Sequence, residues 1–449
     1  MVKKTIKMIC GAIVLSCSIA MTDTIHATTG VKASSSTYTV LSSTKNEVSL
    51  AHYLEAQHIS IVYRINEIGY FQVKLNQLQR ERVNHNFPNV EISRTTGTDV
   101  ESTNAITGKG SNKLKNKILN LEWDINAVTK NGAAYKRMNH NSAATVAVID
   151  SGIDFKTSAL KHAKQGTQLN FVPKGGYDNE EAAEHGNLHY NTDLTGHGTA
   201  VAGEIAGAGD YKGVAPGVKV RSYRVFGDKK SKAAWIIKAI TVAAKDKVDV
   251  INISAGQYLN KDNKLDKADI LAYKKAINLA SSRNINVVAA VGNDGIDENN
   301  SDQMTKAYGT DATAGTNVVG DYPANFDNVI SVGSSNQNNI KSIFSNFSLT
   351  KSNFILAPGG DTKLFNKVGA DEWVKENLIS KEGVLVLNPT EQYSYSLGTS
   401  LATPKVSGIL AAIRAKYHCD STGAQKRLLD SSGKTSDGFR FLDGNSALK

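Results

Sequence analysis

A series of apolar, β-branched runs constrains this chain more than any other feature. They are Thr145-Val146-Ala147-Val148-Ile149, Lys219-Val220-Arg221-Ser222-Tyr223 and residues 248–253, 287–291 and 329–332. A strand with one wet face alternates apolar and polar residues, whereas a nearly continuous apolar run needs cover on both faces. Stretches of helical spacing separate the runs. The pattern predicts an α/β fold, a parallel sheet with helices on both faces. Ligands of such sheets bind outside the carboxyl ends of the strands, so that edge is where chemistry is sought.

The 449 residues exceed what one small domain needs. Upstream of the apolar runs the pattern changes. Tyr38-Thr39-Val40-Leu41 reads as a strand and residues 47–57 as a helix. Ile59-Ser60-Ile61-Val62-Tyr63 and Tyr70-Phe71-Gln72-Val73-Lys74 read as strands, residues 76–84 as a polar helix, and Val90-Glu91-Ile92-Ser93 as a last strand. This βαββαβ order suits a small α+β, ferredoxin-like domain. Residues 95–117, rich in Thr, Gly, Ser, Asn and Lys, read as an exposed linker. At the start, Lys3, Lys4 and Lys7 precede an apolar run from Met8 to Met21, and small residues follow, as in an export signal ending near Ala27. The expected organisation is a signal peptide over 1–27, a small domain over 28–94, a linker over 95–120 and the main domain over 121–449. No later stretch is long and apolar enough to span a bilayer, so a secreted, extracellular and monomeric product without a stable membrane anchor is expected.

Charge and cysteine narrow the classes further. The net charge of +10 is spread without a basic stripe interleaved with aromatics, which argues against nucleic acid as a partner. Cys10 and Cys17 fall in the expected export signal, leaving Cys419 without an intramolecular partner. The fold must therefore stand on its core.

Three short motifs carry chemistry. Asp150 closes the first apolar run and precedes Ser151-Gly152, where the chain turns. His197 lies in Thr195-Gly196-His197-Gly198-Thr199, bracketed by glycines that permit close approach of a substrate, and an imidazole suits a general base. Ser400, in Leu397-Gly398-Thr399-Ser400-Leu401-Ala402-Thr403-Pro404, opens an apolar helix whose dipole and free N–H groups favour a nucleophile and the anion it creates. Each motif alone has an ordinary reading as turn former, structural histidine or helix cap. Their joint occurrence in the order Asp, His, Ser does not.

VAVIDSGID, GHGTAVAGEIAG and GTSLATPKVSG resemble the signature blocks of the subtilisin family, in that family's chain order. Gly213-Val214-Ala215-Pro216, Asn252-Ile253-Ser254, Ala290-Val291-Gly292-Asn293 and Ala357-Pro358-Gly359 extend the resemblance, which runs from about residue 121 to the end. It implies a serine endopeptidase with Ser400 as nucleophile, His197 as general base then acid, and Asp150 holding the imidazole. Asn293 matches the oxyanion-hole asparagine. The small first domain then matches a propeptide that assists folding and blocks the cleft. Self-removal after Arg94 is expected, with Lys109, Lys113, Lys115 and Lys117 as later trimming sites.

The resemblance also places Ser254-Ala255-Gly256 along the substrate backbone, and Asp294 and Asp321 at the S1 pocket. A carboxylate at a pocket base is left unpaired unless the substrate brings a cation, so Arg or Lys is expected at P1. Basic specificity, export and a propeptide are together similar to lantibiotic leader peptidases. The alternative is a general secreted exoprotease, and the intact triad with Asn293 weighs against a silent peptide-binding relative. No cofactor is expected for catalysis. The acidic loop 178–193, with Asp178, Glu180, Glu181, Glu184, His185 and His189, fits no defined metal spacing and reads as solvated. Structural calcium is left open, because residues 205–212 are shorter than the loop that carries a tight site in many subtilisins.

Overall fold

The computed structural model describes residues 35–95, 99–102, 108–109, 118–139, 144–309 and 319–449. The expected signal peptide with Cys10 and Cys17, and linker residues Lys113, Lys115 and Lys117, lie outside the described residues.

The main domain is built on a nine-stranded sheet in the order β19-β20-β16-β15-β13-β11-β7-β9-β8. Its strands are β7 (Thr145–Asp150), β8 (Leu169–Asn170), β9 (Lys219–Arg224), β11 (Val250–Ile253), β13 (Asn286–Ala290), β15 (Val329–Ser335), β16 (Phe354–Pro358), β19 (Gly433–Lys434) and β20 (Arg440–Phe441). Pairing is parallel from β8 to β20, and only the short β19–β20 hairpin is antiparallel. Alternate residues of each strand feed two separate cores. Val146, Val148, Val250, Val288 and Ile330 pack on one face; Ala147, Ile149, Ile251, Val287 and Val329 pack on the other. The apolar runs are thus explained by helices covering both faces. Of the strands expected from the five apolar runs, β7, β9, β11 and β13 lie within two residues of their expected bounds and β15 extends to Ser335, whereas β8, β16, β19 and β20 were not expected.

Residues 36–94 form a separate antiparallel sheet in the order β2-β3-β1-β4, from β1 (Ser36–Leu41), β2 (Ile61–Ile65), β3 (Tyr70–Leu75) and β4 (Glu91–Arg94). Helices Glu47–Ala56 and Gln77–Asn86 cross between strands, and Val40, Leu50, Leu54, Phe71 and Val83 make its own core. It docks on the helix Lys267–Ser282. Tyr70 donates to Asp269 Oδ1 (3.3 Å), Ser93 Oγ accepts from the Ala268 N–H (3.2 Å), and Lys267 pairs with Glu91 (2.8 Å).

The linker differs from its expected form. β5 (Asp99–Ser102) inserts antiparallel between β10 (Ser231–Lys232) and β12 (Ala255–Asn260), with β14 (Val319–Tyr322) on the far side of β12. β6 (Gly108–Lys109) then joins β18 (Gln392–Ser396), which pairs with β17 (Val384–Asn388). Arg94 does not lead into this path directly; it sits in β4 opposite Tyr38, inside the small domain's sheet. Residues 99–102 and 108–109 become strands because edges of the main domain receive them, which no local pattern reveals.

Candidate active site

Asp150, the last residue of β7, is 1% exposed, and its Oδ1 accepts from His197 Nδ1 (2.8 Å) and from the Ser151 N–H (2.8 Å). His197 opens the helix His197–Ala206. The helix approaches the Asp150 turn closely, since a Cβ at Gly198 would lie 2.1 Å from the Gly152 carbonyl oxygen. Only glycine fits there. With Nδ1 donating to a carboxylate, Nε2 carries the lone pair; it is buried and has no hydrogen-bond partner. Burial opposes charging of the imidazole, but the Asp150 carboxylate outweighs it, and the pKa is raised.

Ser400 is the second residue of the helix Thr399–Tyr417 and is 1% exposed. A buried chain fixes its backbone: Ser407 Oγ donates to Asn252 Oδ1, Asn252 Nδ2 to Ser254 Oγ, and Ser254 Oγ to the Ser400 carbonyl (2.8, 3.0 and 2.8 Å). Asn293 Oδ1 accepts from both the Thr399 N–H and Thr399 Oγ1, each at 2.9 Å. Its acceptor is thereby occupied, and its NH2 is left as a donor beside Ser400. An N–H donor pair next to a serine is what a developing oxyanion requires.

Asp321 lies on β14, 3% exposed. A Cβ at Gly256 would sit 2.4 Å from its Oδ1, and one at Gly292 would sit 3.0 Å from its Oδ2. The carboxylate therefore reaches between Gly256 of β12 and the turn that carries Asn293. Its Oδ1 is buried with no hydrogen-bond partner. Burial first, then the charges of Glu298 and Asp294, hold its pKa well above the usual carboxylate range. Asp294 is different: it is exposed and accepts from the Tyr258 hydroxyl (2.6 Å). Ala255 and Gly256 pair with Ser102 and Glu101 of the linker, so this edge already holds a peptide backbone.

Several supporting residues escaped the sequence reading. Asn346 Oδ1 accepts from the N–H groups of Asp294 and Ile296, and its Nδ2 donates to the Val291 carbonyl, shaping the turn around Asn293. Asp193 takes the N–H groups of Gly196 and Thr199 and the hydroxyls of Ser151 and Thr199, anchoring the His197 helix at its positive end. Thr192-Asp193-Leu194-Thr195 just before the helix was the available signal. The acidic loop is not simply solvated. Glu184, 1% exposed, forms a two-pronged ion pair with Arg224 (2.5 and 2.9 Å), whose Nε donates to the Ser151 and Thr192 carbonyls (3.2 and 3.1 Å). Glu181 is also buried, accepting from the Tyr177 and Lys229 N–H groups. Asp178 and Glu180 pair with Lys232 and Lys229, and His185 and His189 are exposed. Through Arg224, Glu184 braces the turn after Asp150. Among the described residues, no group of three or more His, Cys, Asp or Glu is placed to hold a metal ion.

Residues 141–442 match the Subtilase family. The epidermin leader peptide-processing serine protease EpiP of Staphylococcus epidermidis is 39% identical over 389 residues, 83% of this chain and 82% of that protein. The nisin leader peptide-processing serine protease NisP of Lactococcus lactis subsp. lactis is 39% identical over 330 residues, 72% of this chain and 48% of that protein, about half its length. The crystal structure of EpiP from Staphylococcus aureus superposes with a TM-score of 0.80 at 34% identity, covering 92% of this chain and 98% of that one.

Proposed function

Because the chain belongs to the subtilase family of serine peptidases, we propose that it is a secreted endopeptidase that cuts after Arg or Lys and releases leader peptides from lantibiotic precursors. The observation that carries the basic specificity is the buried carboxylate of Asp321 between Gly256 and Gly292, whose Oδ1 has no hydrogen-bond partner and which has no cation beside it among the described residues. A buried charge without a partner is costly, and a P1 guanidinium or ammonium supplies the missing partner. The precursor assignment rests on the similarity to EpiP and NisP, whose names state that they process such leaders.

In this reading Ser400 Oγ attacks the scissile carbonyl and His197 Nε2 takes its proton. Asp150 keeps Nδ1 protonated and stabilises the imidazolium. Asn293 and the Ser400 N–H hold the oxyanion; loss of one such donor costs about 10²–10³ in kcat. His197 returns the proton to the leaving amine, and water repeats the sequence on the acyl-enzyme. The chemistry draws on no cofactor.

Residues 36–94 serve as the propeptide domain, and the linker is the chain's first substrate. β5 occupies the edge of β12, and β6 lies beyond the nucleophile on β18, so the bond cut falls between Ser102 and Gly108 and not after Arg94. Residues 103–107 are Thr-Asn-Ala-Ile-Thr, with no cation for Asp321. Tethering compensates, because an intramolecular segment reaches high effective concentration without an optimal side chain. Ser400→Ala is expected to lose about 10⁶ in kcat and to accumulate with the small domain attached. N-terminal sequencing of the wild type and Ser400→Ala, each expressed alone, tests this. The same mature terminus in both would overturn self-processing, and near wild-type cleavage by Ser400→Ala would overturn the triad.

A further inference from the structure

The linker touches the main domain on two edges, and only one of them belongs to the leader side of the cut. β5 pairs with β12, which starts next to Ser254, the residue that holds the Ser400 carbonyl. β6 pairs with β18, Gly108 opposite Tyr395 and Lys109 opposite Ser394. β18 ends at Ser396, four positions before Ser400. The nucleophile thus stands between two pairing edges, and the chain runs from the first to the second. The six steps from Ser102 to Gly108 can span about 20 Å of extended chain.

β18 is built to stay in place when β6 leaves. Its other edge is zipped to β17 over five residue pairs, Val384↔Ser396 to Asn388↔Gln392. Val384 and Val386 of β17 pack with Ala200 of the His197 helix and Leu401 of the Ser400 helix. The tip of the hairpin is braced as well: the Thr390 N–H donates to Asp154 Oδ2 (3.1 Å), and Glu391 Oε1 accepts from the Ser158 N–H (2.7 Å). Tyr393 stacks on Tyr211 with ring centroids 5.8 Å apart. Once β6 is displaced, the free edge of β18 presents backbone donors and acceptors, which is the template for adding a further strand.

We propose that β18 is a docking strand for the substrate on the far side of the scissile bond. Its occupant is an extended segment of the precursor several residues beyond the cut, held by main-chain pairing in the place that Gly108–Lys109 takes in the unprocessed chain. The inference rests on the reading of the cleft as a peptidase site. It adds that recognition reaches well past the residues next to the bond and reads backbone shape there. A precursor whose early mature segment can lie extended is then favoured over one that is bent.

The self-processed wild-type enzyme tests this with three quenched fluorogenic peptides identical from P4 to P3′, with Arg at P1. The first ends at P3′, the second continues to P8′, and the third is the second with N-methylated amides from P4′ to P7′. The long peptide is expected to show about tenfold higher kcat/KM than the short one, carried mainly by KM, the gain of one or two net backbone hydrogen bonds. N-methylation is expected to return it to the value of the short peptide. Equal kcat/KM for short and long peptides would overturn the docking strand while leaving the peptidase reading intact. A gain that survives N-methylation would also overturn it, because side chains and not the backbone would be responsible. Failure to cut even the short peptide would remove the peptidase reading, and the docking strand with it.

Discussion

Two of the buried acidic sites in this domain solve the same electrostatic problem in opposite ways. Behind the catalytic helices, Lys405 on the Ser400 helix pairs with Glu204 on the His197 helix (2.5 Å) and with Asp124 on the helix Trp123–Thr129 (2.7 Å), all three side chains fully buried. Burial disfavours the ammonium, but the two carboxylates outweigh it and raise its pKa. At the cleft, Asp321 has no such cation; Lys351 lowers its pKa but stands 3.6 Å from Glu298 instead. The first site carries its counter-ion permanently and joins three helices. The second is left open beside two glycines, and in the proposed function its counter-ion arrives with the substrate.

Breaking the closed site is expected to cost most. Lys405→Met leaves Asp124 and Glu204 buried without a cation, which costs about 3–5 kcal/mol. Thermal or denaturant unfolding reads this directly, and adding Asp124→Asn and Glu204→Gln to the same chain should recover most of the loss. A single variant as stable as the wild type would mean that the cluster does not differ from the open site in the way described.

A smaller effect concerns pH. Glu122 neighbours the closed site; burial pushes its pKa up to about 9, although its Oε1 accepts from the Lys212 N–H (2.9 Å). Its folded pKa exceeds the unfolded one, so the native state holds the extra proton. Stability is full below the ordinary glutamate range and falls as pH rises toward 9, by at most about 1.4 kcal/mol per pH unit. Glu122→Gln, which keeps the acceptor, should flatten this slope in unfolding measured between pH 5 and 9. An unchanged slope would place the titration elsewhere.

The smallest effect is expected at Asp294. It is exposed and already hydrogen-bonded to Tyr258, so Asp294→Asn should alter the preference for Arg over an uncharged P1 residue by less than about fivefold, since exposed charges contribute up to about 1 kcal/mol. A larger loss in kcat/KM would make Asp294 the partner of the P1 cation and reverse the comparison between the two pocket acids.

What could be read from the sequence follows from where the causes lie. β7, β9, β11, β13 and β15 were legible because two-sided burial writes a local apolar run, and His197 was legible because close approach writes flanking glycines. The pairing of Lys405 with Asp124 was not, because its partners are far apart in the chain and each looks like a surface charge. The same holds for Arg224 and Glu184, where an acidic loop with solvated composition folds Glu184 and Glu181 inward. β5 and β6 were read as linker for a different reason. Their composition is polar, and they become strands only because β12 and β18 offer edges.

The most direct test is the P1 preference of the wild type and Asp321→Asn, measured as the kcat/KM ratio for paired peptides with Arg or Gln at P1 across pH 5.5 to 9. Both substrates need neutral His197, whose pKa is raised, so its titration cancels in the ratio. Asp321 also has a raised pKa and is ionised only above it. The wild-type ratio should therefore favour Arg and rise with pH, while Asp321→Asn should lower it by about 10- to 1,000-fold and remove the pH dependence, as loss of a buried partner to a charge implies. A ratio that is unchanged by the substitution, or that favours Gln in the wild type, would contradict the account.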